Sequence, residues 1–238
     1  MKNTVPLSII IGSALLSQGA IADTVPAWKA DAELGLLVTN GNTKTKNITA
    51  KAKVVNNRDR WRHTLTAEVL NSSEDSSTTA ERYFLSGKSD YKLTEKSYAF
   101  GLLSYENDRF SGYDYRISET LGYGRNIIQR DTLTLDLEAG LGSRQSKVST
   151  TGGKENEGLV HLGGGLNWKL SGTSTFSENL SSDIGEKAAI TKSVTSLKTQ
   201  IVGNLASNIS YTAKYTSHVP AGFTKLDTET AVTLVYSY

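Results

Sequence analysis

The side chains best suited to chemistry in this chain are charges that recur at every second residue. Lys29, Asp31 and Glu33 alternate with apolar residues, as do Arg62 and Glu68, and later Asp136 and Glu138. Period two places such residues on one face of a strand. Counting by that parity gives thirteen bases: Lys29, Lys51, Lys53, Arg62, Arg82, Lys88, Lys92, Arg116, Arg144, Lys169, Lys192, Lys198 and Lys214. It gives seven acids: Asp31, Glu33, Glu68, Asp90, Asp136, Glu138 and Glu229. A surplus of six bases (13 − 7) around an aqueous passage would favour anions, because fixed charge between low-dielectric walls selects counter-ions. The same charges paired across a filled interior would instead hold the strands together. The residues leave both readings open.

Other chemistries are thinly represented. Histidine is scarce. His63 falls on the apolar face near a strand start, His161 on the charged face, and His218 in a loop. A rim hydrolase would need a Ser nucleophile, a His base and an orienting polar group on the outer surface. His63 is the one histidine placed outward, and a bystander role suits it better. The acids Glu74, Asp75, Glu106 and Asp108 lack the regular spacing of a calcium loop and read as solvated loop residues. Gly163, Gly164 and Gly165 lie within a strand with no helix after them. They mark a bend or a close approach of interior groups. With no cysteine, thiol catalysis, thiolate metal sites and disulfides are excluded. No catalytic, cofactor-binding or metal-binding residue is assigned, and an enzyme is not expected.

The elements that position the charges are strands. The pattern predicts twelve, over 28–39, 48–56, 61–70, 82–93, 98–107, 116–127, 132–145, 157–170, 174–181, 191–201, 207–215 and 228–238. The ninth and tenth are rich in Ser and Thr. Short connections fall at 57–60, 94–97, 128–131, 171–173 and 202–206. Longer polar ones fall at 40–47, 71–81, 108–115, 146–156, 182–190 and 216–227. Long and short alternate, as external loops and periplasmic turns do in outer-membrane barrels. Roughly ten residues per tilted strand suffice to cross the apolar band. The face opposite the charges carries Trp28, Leu34 and Leu36, then Trp61 and Leu65, then Leu135 and Leu137. The charged face must be internal, since a base at the bilayer midplane costs about 2–4 kcal/mol. Trp28, Trp61, Tyr83, Tyr91, Tyr98, Tyr123, Trp168, Tyr236 and Tyr238 sit near strand ends, where an aromatic girdle belongs. Glu119 is the exception. It falls on the apolar face, at the rim or at a register slip.

The two ends of the sequence agree. From Thr228 the chain alternates to a final Tyr238, like the C-terminal assembly signal of outer-membrane barrels. Residues 1–22 have one charge, Lys2, then an apolar run and Ala20-Ile21-Ala22. That predicts a cleaved signal peptide over 1–22 and a barrel over 23–238. The formal charge of the full chain is +2. A balance this near neutral gives no support for nucleic-acid binding.

Gly41-Asn42-Thr43, followed by Thr45 and Asn47, resembles a hallmark of a bacterial family labelled YdiY-like or salt-induced outer membrane proteins. The run from Glu106-Asn107-Asp108-Arg109-Phe110-Ser111 through Gly112-Tyr113-Asp114-Tyr115-Arg116 is the more specific match. The resemblance covers the chain from residue 23 onward. It implies an outer-membrane barrel and carries over no catalytic or ligand residues. Its label implies a link to salt or osmotic stress through expression and identifies no mechanism.

The expected fold is therefore all-β: a transmembrane, antiparallel, up-and-down β-barrel of about twelve strands in the bacterial outer membrane. Expected partners are outer-membrane lipids, the barrel-assembly machinery through the C-terminal strand, and small ions or solutes. Three functions fit: a narrow channel with possible anion preference, a closed structural or adhesive barrel with working loops, and a lipid-modifying rim enzyme.

Overall fold

The structure is a computed structural model that describes residues 28–39, 45–75 and 77–238. Twelve strands run in order: β1 (Trp28–Thr39), β2 (Thr45–Asn57), β3 (Trp61–Glu74), β4 (Ser77–Lys92), β5 (Ser97–Asp108) and β6 (Tyr113–Gln129), then β7 (Leu133–Val148), β8 (Lys154–Lys169), β9 (Ser174–Gly185), β10 (Ala189–Val202), β11 (Leu205–Thr216) and β12 (Leu226–Ser237). Each pairs antiparallel with its neighbours, and β12 returns to β1, so the sheet is a closed up-and-down barrel. Closure gives every strand a paired neighbour on both sides, so none is left as a free edge.

The distribution of apolar side chains is inverted relative to a water-soluble domain. Leu34, Leu36, Leu65, Leu121, Leu141, Val232 and Leu234 are exposed on the outer wall, Leu121 by 74%. The buried set is mostly polar and charged instead, with Asp90, Arg116, Arg144, His161 and Lys214 all inside. A continuous apolar outer surface requires an apolar surrounding. This excludes the soluble-barrel alternative, whose apolar face would point inward. Trp28, Trp61 and Trp168 are exposed near the ends of β1, β3 and β8, and Tyr105 and Tyr215 near the opposite ends of β5 and β11.

All twelve expected strands are present, including the Ser/Thr-rich β9 and β10. The differences lie at one end. The expected loop 71–81 is a hairpin, paired out to Glu74↔Ser77. Likewise β7 and β8 pair to Lys147↔Lys154, and β9 and β10 to Ile184↔Ala189. Beyond the apolar band both faces of a strand meet water. The hydrophobic alternation that reveals a strand then disappears while the backbone ladder continues. The long connections are thus mostly projecting hairpin arms, and 217–225 remains irregular. The signal-peptide region 1–22 and the motif Gly41-Asn42-Thr43 lie outside the described residues.

Glu119 is not explained by a register slip. Leu103, Glu119 and Ser143 are in continuous register across β5, β6 and β7. The bulges fall at Glu106/Asp108 and Tyr113/Tyr115, nearer the hairpin tip, and at Asn126/Ile128, nearer the short turn. Glu119 therefore faces outward from within β6, where the Ser143 hydroxyl donates to it at 3.0 Å.

The seam is the thinnest pairing. β1 and β12 share four register positions, from Asp31↔Ser237 to Leu34↔Leu234. Beyond them Ala30 and Tyr238 exchange two backbone bonds of 2.8 and 2.9 Å. The Ser237 hydroxyl also donates to Asp31 at 2.5 Å. Deleting residues 236–238 removes half of this closure. The expected result is loss of the heat-modifiable barrel on cold gel electrophoresis. A variant that still migrates as a folded barrel would show that the seam is dispensable.

Candidate functional site: the barrel interior

Period two sends most of the strands' charged residues into one lumen, and there they meet in layers. The middle layer joins opposite walls. Arg82 on β4 bonds Glu229 on β12 at 2.9 Å and lies 4.0 Å from Glu68 on β3. Glu68 also takes Lys51 at 3.4 Å and Lys192, from β10, at 3.6 Å. Nearby, Lys198 and Asp31 pair at 3.0 Å, and Glu33 accepts bonds from Asn208 and Thr233 at 3.2 Å.

Toward the short turns, Arg62 bonds Asp90 at 2.6 Å, and Lys88 pairs closely with Glu138. The Tyr98 hydroxyl donates to the same Glu138 at 2.6 Å. Arg62 and Lys88 lie over the Tyr98 ring, 5.2 and 5.4 Å from its centroid. Tyr98 and Phe100 can lie flat against β6 because it carries Gly122 and Gly124 there. A Cβ at Gly124 would come within 2.3 Å of the Tyr98 ring.

Toward the long hairpins, Glu106 bridges Lys214 at 2.5 Å and Arg116 at 3.2 Å, and Asp108 lies 3.9 Å from Lys214. This corrects the reading of Glu106 and Asp108 as solvated loop acids. They end β5 on its inward face, across the lumen from β11. Arg144, 2% exposed, donates to Glu157 through Nε at 2.9 Å and Nη2 at 2.7 Å. Its Nη2 also donates to the carbonyl of Ala188. His161 lies 2.6 Å from Asp183 with its ring edge-on to Phe100.

The parity count therefore needs correction. Glu106, Asp108, Glu157 and Asp183 are inward acids that it omits. On the hairpin arms Glu155 and Asp227 share the inward faces of Ser146 and Lys214. With these six the acids rise from 7 to 13 and equal the bases, so the surplus disappears. The signal was present in the alternation, but these acids lie toward the hairpin arms, where the apolar pattern on the other face weakens.

The lumen is partitioned rather than filled. One cavity of about 320 Å³ is walled by β8–β12 hydroxyls and amides, among them Ser177, Asn179, Ser196 and Asn208, facing Lys51, Glu68 and Arg82. A second, about 370 Å³, lies over Gly163, Gly164 and Gly165. A third, about 230 Å³, lies among Arg116, Arg144 and Lys214. Lys192 lines all three.

Outside the lumen, His63 faces outward as expected. Its Nδ1 lies 2.9 Å from the Ser89 hydroxyl, and its ring stacks on Trp61. No acid or amide bonds its other nitrogen among the described residues, so the two groups lack the orienting third member. His218 contacts Ser217 at 3.2 Å in segment 217–225. Glu74 ends β3, and Asp75 occupies the hairpin tip with φ +44°. Among the described residues no three His, Asp or Glu side chains are grouped to hold a metal ion.

The family model for proteins of unknown function, DUF481, matches residues 32–238. The chain belongs to this family. It is 27% identical to the Escherichia coli K12 protein named "Uncharacterized protein YdiY", over 100% of this chain and 99% of that one. The matched region contains the run 106–116 that carries the resemblance in sequence, and YdiY is the relative that the resemblance implied. Among solved structures, an outer membrane channel from Pseudomonas putida F1 is similar at TM-score 0.50 and 10% identity. It covers 93% of this chain and all of that one (100%). The translocator domain of the autotransporter NalP from Neisseria meningitidis is similar at TM-score 0.50 and 15% identity, covering 91% and 89%. At such identities the likeness establishes the fold, that of a transmembrane outer-membrane barrel.

Arg144 and Glu157 test the energetics of the interior. Removing one partner of a buried pair leaves an unpaired charge and costs about 3–5 kcal/mol, whereas replacing both can be neutral. Arg144→Met should lower the melting temperature of the detergent-folded barrel. Adding Glu157→Gln should recover most of the loss. Equal melting of the single variant and the wild type would show that the pair is hydrated and weak.

Proposed function

We propose that this protein is a non-enzymatic outer-membrane barrel whose lumen is a narrow passage for small solutes. The observation that carries this reading is the set of three polar-walled cavities sharing Lys192. Cross-lumen pairs such as Lys192–Glu68 and Arg82–Glu229 narrow the passage, so permeants are small and hydrated. With inward bases and acids balanced, at most a weak anion preference remains, since paired charges cancel each other's field at a distance. The reading includes export through a cleaved segment at 1–22 and insertion by the barrel-assembly machinery acting on β12. The outer wall meets the lipids of the outer membrane. The non-enzymatic part rests on the incomplete His63–Ser89 pair.

Orientation is testable in intact cells. The long hairpins should face outward and the short turns the periplasm. A cysteine at Thr151, in the tip between β7 and β8, should react with an impermeant maleimide, and one at Lys96 should not. The reverse would invert the topology. Thr151 is a better probe than Gly112, whose φ of +83° would strain any other residue.

Conduction is tested in planar bilayers. Wild type should show small, steady conductance with at most a weak anion preference in reversal potential. Replacing Lys51, Lys53 and Arg82 with Glu changes the balance from 13 against 13 to 10 against 16, and should make the passage prefer cations at low salt. The effect should shrink at 1 M salt, where the Debye length is about 3 Å. No wild-type conductance would favour the closed structural barrel.

A further inference from the structure

The cavity over the glycine run has a charge distribution that the channel reading does not use. Six of the ionisable groups that line it are already spoken for. Lys51 and Lys192 share Glu68, Lys88 pairs with Glu138, and His161 pairs with Asp183. Two are left, Lys53 and Asp136, and they are opposite in sign. Among the described residues neither has a hydrogen bond or an ion partner within 4.0 Å, and they do not reach each other across the space between them.

The reasons are local. Lys53 sits opposite Asp31 in the β1–β2 register, but Asp31 is taken by Lys198 and by the Ser237 hydroxyl, at 3.0 and 2.5 Å. Asp136 is on β7, two residues from Glu138, whose nearby base Lys88 is engaged. Arg62 is held by Asp90. Asp136 keeps its position because Gly165 stands across from it. A Cβ there would lie 3.0 Å from its Oδ1, and one at Gly163 would lie 3.1 Å from the His161 ring. The glycines thus open about 370 Å³ between an unpaired ammonium and an unpaired carboxylate. Asn179 adds a neutral amide to the wall.

A site with one free donor cation and one free acceptor anion matches a ligand carrying the complementary pair. We propose that this cavity binds small zwitterions, molecules with an ammonium and a carboxylate on a short frame. The carboxylate is held by the Lys53 ammonium, and the ammonium by the Asp136 carboxylate. Charge-assisted hydrogen bonds are about twice as strong as neutral ones, so two acting together discriminate against a ligand offering one. The inference rests on the channel reading only for how the solute reaches the cavity.

The test is ligand-detected NMR titration of the full chain folded in detergent, using glycine, 4-aminobutyrate, acetate and methylammonium. At least one of the two zwitterions should bind at least tenfold more tightly than acetate or methylammonium, and each half-molecule should compete with it. Lys53→Gln should weaken acetate and both zwitterions while sparing methylammonium. Asp136→Asn should spare acetate and weaken the rest. A charge-assisted bond predicts about tenfold per substitution. If a variant does not fold, competition on the wild type still decides. Zwitterions binding no better than their halves, or unchanged by either variant, would overturn the proposal. Zwitterion binding by a barrel that does not conduct would overturn the channel reading alone. Conduction without binding would overturn this proposal alone.

Discussion

Most of the interior of this barrel is shaped by one constraint: a charge brought into a narrow, low-dielectric lumen is costly unless it finds a partner there. Desolvating an ion costs several kcal/mol even after relaxation, and a well-placed counter-ion with further hydrogen bonds offsets it. The strands supply charges by simple alternation, but the pairing is non-local. Lys214 and Glu106 are 108 residues apart, and Arg82 and Glu229 are 147 apart. Such contacts cannot form until the sheet has closed. The ion pairs therefore depend on closure, and they stiffen it by tying together walls that share no backbone ladder.

The outer wall obeys the same constraint with different means. Glu119 on β6 and Glu178 on β9 face outward. Glu119 accepts from Ser143. Glu178 accepts from Ser193 at 2.6 Å and from Thr195. Around them Ser182 pairs with Thr191, and Ser174 with Thr199, on the same face. A hydroxyl whose proton is donated to its cross-strand neighbour is less costly to place beside hydrocarbon than a free one. This is how β9 and β10 carry so many Ser and Thr residues within a transmembrane wall. It is also why their alternation is faint in a scale that scores every hydroxyl as polar.

What could be read from the sequence follows from what period two can encode. The number of strands, their order and the inward face were legible, because Trp61, Leu65 and Val69 against Arg62 and Glu68 leave one arrangement in an apolar solvent. The ends at the long hairpins were not legible. Ser72 and Ser73 pair across to Ala80 and Thr78 with no apolar face to mark them. The same loss hid Glu106, Asp108, Glu157 and Asp183 from the count of interior acids. Parity tells which way a side chain points, and nothing about which distant strand it will meet. That Arg82 reaches Glu229, and that Lys53 reaches no partner, are facts of barrel closure.

This distinction bears on how such a lumen acts on solutes. A tally of interior charges treats each as a source of field. Once Lys88 sits on Glu138 and Arg144 on Glu157, each pair is a short dipole whose influence falls off quickly. The potential a solute meets is then set by the residues that pairing leaves over. Lys53 and Asp136 are such residues. So, to a lesser degree, is Glu33, which neutral donors hold with no base within 4.0 Å. A lumen with many charges can thus be nearly neutral along most of its length and strongly charged at a few points. On the proposed channel reading, selectivity belongs to those points: the paired majority would set the width of the passage, and the unpaired minority what crosses it.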